Sequence, residues 1–462
     1  MNLPKTIHPR SALLAASLVL FLGCDDAQQA VKRRAAEAAG NIAIDTVTNA
    51  GETGRAADLI NIPVEVRQLH DIVYQARGVG NVQLVATSEG HVVFDTGLVL
   101  QAAKQRRLLV EAVPGAIRKV VLSHSHQDHI GGTSFWVDDE TEIVAHREFP
   151  EEQRYQEELQ PYLWHRNQTL FPFMPEEPPP FGFVSYTTPT VLVDNGEPQR
   201  FELGGVKFEL IGAPGAEGAD NLVLWLPDQK ILLSGDFFGP LFPQFPNVFT
   251  MRGEKMRKPI EYVRSLERII ELEPAMIIPS HNDPIEGAEK IRADLERMRD
   301  AVQYVHDATV AGMNAGKTVH QLMEEIELPP ELALSQIHGR VSWAVKSIWE
   351  YYATWFHFDS TVELYPVPAS AVYAELRELA GLDALIESAT RRLDAGQPVH
   401  ALQLLEVALA EEADHAAALE LRKRALQQLL DAATAGLNNS YEVDWLKYRL
   451  RDTDARLGVD PS

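Results

Sequence analysis

Apolar and polar positions alternate in short runs near the start of the chain. Val64 to Leu69, Asp71 to Ala76, Asn81 to Ala86 and His91 to Gly97 each have strand character and are joined by turns containing Gly and Ser. This predicts an antiparallel β beginning. The period then changes. Leu98 to Val113 carries apolar residues at helical spacing, and Lys119 to Ser123 reads as a buried strand. Strand patterns return between Thr190 and Leu233, followed by a helix from Pro259 to Leu272 and a strand from Met276 to Ser280. Strands that alternate with helices predict an α/β layered domain. From Ala288 to residue 435 the spacing is almost wholly helical, broken at Gly316, Pro329 and Pro330, Pro366 to Pro368, and Gly396. Within it, Ala384 to Leu429 reads as paired helices of a tetratricopeptide-like repeat. Residues 147 to 183 fit neither period. They are rich in Glu, Pro and aromatics, and predict a long loop or lid at the mouth of a site.

Composition sets the outer limits. With 462 residues and 45% hydrophobic content the chain has ample core for two or three structural units. A formal charge of −24, from 66 acids against 42 bases, repels phosphate backbones and excludes nucleic acid as a partner. An anionic substrate would need a local cationic pocket inside that acidic shell. The single cysteine, Cys24, rules out an internal disulfide. Ahead of it come Lys5 and Arg10, then an apolar run from Ala12 to Gly23. This is the order of a secretory signal, and the run is shorter than the roughly 20 residues that span a bilayer. Leu22-Gly23-Cys24 resembles a bacterial lipoprotein box, with Phe21 where that box usually has leucine. The resemblance implies lipidation at Cys24 and a periplasmic protein that meets the membrane only through that anchor. Residues 27 to 60, rich in Ala, Glu and Gly, read as a tether.

The densest chemistry lies just after the buried strand. His124, His126, Asp128 and His129 fall within six residues, followed by Gly131 and Gly132. Imidazole and carboxylate are the usual zinc ligands, and a loop at a strand end can turn alternate side chains toward different metals. The two glycines let the backbone bend away beneath the metals. His70, His91, His146 and His165 fit no ligand spacing and read as structural or exposed.

The run His124 to His129 resembles the H-x-H-x-D-H signature of the metallo-β-lactamase superfamily. Asp95-Thr96-Gly97 resembles its preceding strand-end motif, Gly235-Asp236 its bridging aspartate and His281 its final histidine. The resemblance implies an αβ/βα sandwich with a two-metal site at one edge. One departure matters: the segment from Ala213 to Pro227 lacks the family's further histidine and offers Glu217 and Asp220 instead. A glutamate there is what the alkylsulfatase branch uses. Asn247 to Arg257 also looks like that branch, as do Leu328 to Leu332, Trp349 to Phe356 and Ala374 to Gly381 in its dimerisation domain. The lipid-carrier-like third domain of full-length members is expected to be missing.

Carried over residue by residue, the resemblance implies one zinc held by His124, His126 and Glu217, and a second held by Asp128, His129, Asp236 and His281. Asp236 stands where the branch has glutamate and could bridge instead. Asp220 is the substitute should Glu217 point away. Arg252 and Arg257 match the sulfate-holding arginines, with Asn247 and Thr250 adding hydrogen bonds. Planar, always-charged guanidinium suits a delocalised anion. Asp128 would orient water and carry a proton. Tyr162 to Trp164, Leu170 to Phe173 and Phe237 to Phe242 are candidates for an apolar channel.

The implied organisation is a signal peptide over 1–24, a tether over 25–62, a catalytic domain over 63–287, an all-α dimerisation domain over 288–435 and a tail over 436–462. The expected activity is zinc-dependent hydrolysis of sulfate esters, in particular alkyl sulfates, by a homodimer. Hydrolysis of another ester, a lactone or an amide by the same metals is the competing enzyme reading. A metal-bearing scaffold tethered at the membrane is the competing non-enzymatic one.

Overall fold

The computed structural model describes residues 31–41, 62–171, 174, 187–248 and 250–459. Cys24 with its leader, most of the tether and much of the segment after residue 171 lie outside the described residues.

Two sheets form the first half of the molecule. In the first, β1 (Val66–His70), β2 (Val73–Ala76), β3 (Val82–Thr87) and β4 (Gly90–Phe94) run antiparallel, and β5 (Ile117–Val121), β6 (Glu142–His146) and β7 (Val191–Val193) continue in parallel from β4. In the second, β8 (Gln199–Leu203), β9 (Val206–Gly212), β10 (Leu222–Leu226) and β11 (Ile231–Gly235) are antiparallel. There β12 (Met276–Pro279) pairs parallel with β11, and β13 (Ile285–Glu286) closes the edge.

Period-two alternation decides what each strand buries. Val85, Val92, Phe94 and Val121 point between the sheets and meet Phe208, Leu210, Leu222, Leu224 and Leu233 of the facing sheet. Leu84, Val93, Val120 and Leu122 point outward against Ala102, Ala103 and Leu109 of α1 (Val99–Ala112), with Ile130, Phe135 and Trp136 beside them. Both faces of β3 to β5 are therefore covered, so these strands read as nearly continuous apolar runs. On the second sheet, the amphipathic helix α6 (Pro259–Leu272) buries Tyr262, Leu266 and Ile269. The long helix α7 (Ala288–Asn314) follows, then α8 (Val319–Glu325) with a capping box of Thr318 and Gln321. This is the αβ/βα sandwich followed by helices that the sequence implied.

Three details differ from the sequence reading. The stretch expected as a loop from residue 147 carries two helices, α4 (Phe149–Glu158) and α5 (Gln160–Leu170). Pro150 and Pro161 each sit in a first turn, where a missing N–H costs nothing, so prolines that suggested a loop start helices here. Gly131 and Gly132 have ordinary right-handed dihedrals. What requires glycine is close approach: a Cβ on Gly132 would fall 2.2 Å from the Thr96 carbonyl oxygen and 2.3 Å from Ala102 Cβ. Lastly, the stretch read as a tail holds α14 (Ser440–Arg456), capped by the Asn439 side chain on the Tyr441 and Glu442 amides.

The chain divides into two compact units between Ile348 and Trp349, inside α9 (Val341–Ala353). The second unit is helical: α10 (Tyr373–Ala380), α11 (Leu382–Asp394), α12 (Pro398–Ala408), α13 (Ala416–Ala435) and α14. Leu385, Ala389 and Leu393 form one stripe of α11, which packs on Ala401, Leu405, Ala418 and Leu421. Small residues at the crossings let these helices pack closely.

Candidate metal centre

The candidate ligands sit where strands end. His124 and His126 lie in the turn after β5, and His126 is the N-cap of the short helix α2 (Gln127–Ile130) that presents Asp128 and His129. Asp236 follows β11 and His281 follows β12. Because β11 and β12 are parallel neighbours, both side chains emerge at the same edge.

Asp128, His129, Asp236 and His281 each offer one ligand atom, and all four atoms lie within 4.8 Å of one another. His129 Nε2 is 3.3 Å from Asp128 Oδ2 and 3.3 Å from Asp236 Oδ2. His281 Nε2 is 3.0 Å from Asp236 Oδ2 and 3.3 Å from Asp128 Oδ2. His129 Nε2 and Asp236 Oδ1 are buried without a hydrogen-bond partner of good geometry. Buried polar atoms left in that condition are costly, and a metal ligand set is one of the arrangements that explains them. Burial disfavours a proton on His129, yet Asp128, Asp236 and Asp95 outweigh it and hold the ring well above its ordinary pKa. His281 behaves alike: burial lowers it, Asp236 and Asp128 prevail, and the ring is pushed up to about 10. A place that draws a proton against burial draws a divalent cation for the same reason. The donor set fits a metal ion.

The other three predicted ligands also converge. His124 Nε2 and His126 Nδ1 are 2.8 Å apart, and Glu217 Oε2 lies 3.9 Å from His126 Nδ1. Glu217, from the loop between β9 and β10, is buried and its carboxylate is gripped on both oxygens by Arg257 at 3.0 Å each. Arg252 Nη2 reaches the same carboxylate at 3.3 Å. Asn221 fixes the loop by accepting the Glu217 amide at 3.1 Å. Asp220 is buried nearby with Oδ2 unpartnered; burial and Glu152 push its carboxyl up to about 7. Of the two acids, Glu217 is the one within 4 Å of His126, and it is the residue the resemblance implied.

Arg252 and Arg257 stand beside the ligands, but both are engaged. Arg257 donates to Glu217, to Glu254 at 2.8 Å and to the Asn247 carbonyl at 2.8 Å. Arg252 Nε lies 3.0 Å from Glu254 Oε1. Arg257 is almost wholly buried, whereas Arg252 keeps 20% of its side chain exposed. Asn247 is buried and its Nδ2 has no hydrogen-bond partner. Thr250 accepts the Arg252 amide at 3.2 Å. The aromatic candidates for a channel divide: Phe237 and Phe238 are core, with Phe237 packed on Tyr262, while Tyr162 is exposed and Phe173 lies outside the described residues.

Several participants escaped sequence reasoning. Asp95 is fully buried at the end of β4, at φ 59°, and its Oδ2 accepts from His129 Nδ1 at 2.9 Å, Ser123 Oγ at 2.9 Å and Ser280 Oγ at 2.7 Å. It directs the His129 proton to Nδ1 and leaves Nε2 for a metal. The Asp95-Thr96-Gly97 motif was the available signal, without its role. Glu254 lies 3.3 Å from His126 Nε2. His338, buried ahead of α9, lies 3.6 Å from Glu217 Oε1. No motif announced either residue.

Residues 76–281 match the family model described as metallo-beta-lactamase superfamily, and residues 318–448 match the alkyl sulfatase dimerisation model. The chain thus carries a metallo-β-lactamase domain followed by an alkyl sulfatase dimerisation domain. Among curated proteins, the chain is 29% identical over 379 residues to a linear primary-alkylsulfatase of Pseudomonas sp., covering 75% of this chain and 69% of that protein. It is 23% identical over 414 residues to the alkyl/aryl-sulfatase BDS1 of Saccharomyces cerevisiae, covering 83% of this chain and 63% of that one. A solved structure, the stereoselective inverting sec-alkylsulfatase Pisa1 from Pseudomonas sp., superposes with a TM-score of 0.73 at 24% identity, over 88% of this chain and 67% of that one. That likeness establishes the fold. The superfamily's sandwich and the alkylsulfatase-type helical region thus occur together in one chain.

Proposed function

We propose that this chain is a dinuclear zinc hydrolase of sulfate esters, in particular alkyl sulfates, acting as a homodimer. The observation that carries the reading is the convergence of seven ligand side chains beside two arginines and the unpartnered amide of Asn247. The named activities of the matched relatives support it. His124, His126 and Glu217 would hold one ion, and Asp128, His129, Asp236 and His281 the other. Bound there, a pair of zinc ions supplies Lewis acidity and lowers the pKa of water toward neutrality. Asp128, the most exposed ligand at 27%, orients the attacking water and accepts its proton. Arg252 contacts the sulfate from its exposed side, Asn247 Nδ2 donates to a sulfate oxygen, and Thr250 shapes the backbone at Arg252. Arg257, locked between two carboxylates, braces the segment. The match at residues 318–448 supports the homodimer. Lipidation at Cys24 and a periplasmic setting are part of the proposal on the leader pattern alone.

A second reading has one observation in its favour. Arg252 and Arg257 already face two buried carboxylates, Glu217 and Glu254, so their charge is largely spent. A neutral ester or lactone would suffer less from that pairing than a sulfate. A panel of a medium-chain alkyl sulfate, an aryl sulfate, a lactone and a β-lactam tests both readings on zinc-loaded protein lacking residues 1–24. Each substrate is repeated with His126→Ala. Alkyl sulfate turnover abolished by the mutation supports the first reading; turnover of the lactone alone overturns it and leaves the second.

A further inference from the structure

The two ring nitrogens of His126 face different neighbours. Nδ1 looks into the ligand set, 2.8 Å from His124 Nε2 and 3.9 Å from Glu217 Oε2. Nε2 looks away from it, toward Glu254 Oε1 at 3.3 Å. Glu254 is nearly buried, with 13% of its side chain exposed. Its position is fixed by Arg252 Nε at 3.0 Å and Arg257 Nη2 at 2.8 Å.

The same division of labour recurs in two other histidines of the site. His129 turns Nδ1 to Asp95 at 2.9 Å and Nε2 to the carboxylates of Asp128 and Asp236. His124 turns Nδ1 to Ser123 Oγ at 2.9 Å and Nε2 to His126. A neutral imidazole binds metal through one nitrogen only if its proton sits on the other. A partner on that second nitrogen fixes both the tautomer and the ring plane. For His126 that second partner is Glu254, 3.3 Å from Nε2.

We propose that Glu254 is a positioning residue for the metal centre: its carboxylate accepts the Nε2 proton of His126 and thereby commits Nδ1 to the ion shared with His124 and Glu217. The inference rests on the dinuclear reading. It also gives Arg252 and Arg257 a second task. They hold Glu217 and Glu254 together, so the segment from Asn247 to Arg257 serves the metal centre as well as facing the substrate. A plain structural ion pair would also place Glu254 between two arginines, but that role makes no demand on His126.

The test is metal binding by the full chain, read without substrate. Zinc and cobalt affinities of the wild type, Glu254→Gln and Glu254→Ala are measured by chelator competition, alongside the cobalt absorption spectrum and the metal-free melting temperature. Glutamine keeps the size of the side chain and still accepts from Nε2, but loses the charge that raises ring basicity. The expected result is about tenfold weaker binding of one equivalent in Glu254→Gln and up to about a hundredfold in Glu254→Ala, with the second equivalent unchanged. Wild-type affinity for both equivalents in Glu254→Gln, or equal weakening of both, overturns the proposal. Glu254→Gln decides the matter alone if Glu254→Ala does not fold. Wild-type stoichiometry comes from the same titration: fewer than two equivalents sinks the dinuclear reading separately, whatever Glu254 does. Failure of the sulfatase assay leaves these affinities unaffected.

Discussion

At the scale of single residues, the site is a balance of buried charges, and removing one member leaves others stranded. Arg257 is the sharpest case, because it grips both oxygens of Glu217 and also Glu254. Arg257→Met should destabilise the fold by about 3–5 kcal/mol, since two buried carboxylates lose their counter-charge. A denaturant midpoint close to wild type would contradict this. Arg252→Ala should cost much less stability, because that side chain is partly solvated, yet it should abolish alkyl sulfate turnover and only tune lactone hydrolysis. Steady-state kinetics on both substrates would show the split. Among these residues, His124, His126, Asp128 and His129 were legible because they are close in sequence, and their density has no packing explanation. Glu217 was legible only through the resemblance, which expects a glutamate there, with Asp220 as the substitute. Glu254 was not: an acid flanked by lysine and arginine looks like any solvated charge run until folding places it against His126. His338 lies far along the chain, and only tertiary structure brings it to Glu217.

At the scale of elements, the strands and helices of the sandwich followed from periodicity, because burial on one or both faces imposes it. The helices at 149–170 did not. Their prolines lie at first turns, where sequence alone cannot tell a helix start from a loop. Gly132 ties α3 (Thr133–Trp136) to the end of β4 by close approach. Gly132→Ala should therefore cost about 1–3 kcal/mol through overpacking, and should disturb His129 on the adjoining turn. Melting and metal stoichiometry would both register it. His146, at the end of β6, is buried and its ring pKa is lowered by desolvation, only partly offset by Asn195 Oδ1 at 2.7 Å. The unfolded ring protonates near pH 6.5 and the folded ring only at lower pH. Its stabilising contribution is thus complete above about pH 6.5 and is lost as pH falls through the folded value. Denaturant titrations of wild type and His146→Gln from pH 8 to 5 should show the wild type losing its margin over the variant in that window.

At the scale of the whole molecule, the sequence announced a sandwich and a helical region, but not where compactness divides. The contact boundary falls inside a helix, at Ile348, because helical periodicity runs through it without a break. The second unit exposes Trp355 at 70%, Phe358 at 86% and Leu379 at 84%, within the stretch that matches the dimerisation model. Sedimentation should find a dimer, and Trp355→Glu with Phe358→Glu should shift it toward monomer; a monomeric wild type would contradict the homodimer. The origin of the ligands carries a further consequence. Asp128 and His129 hang from the first sheet, while Asp236 and His281 hang from the second. An ion among them is a rivet through both layers, and by mass action it stabilises the native state by about 2.7 kcal/mol when free metal reaches a hundred times its Kd. Starved of metal, such a protein would splay at that edge and be cut there by proteases. In a cell its abundance, and not just its activity, would then follow the metal supply.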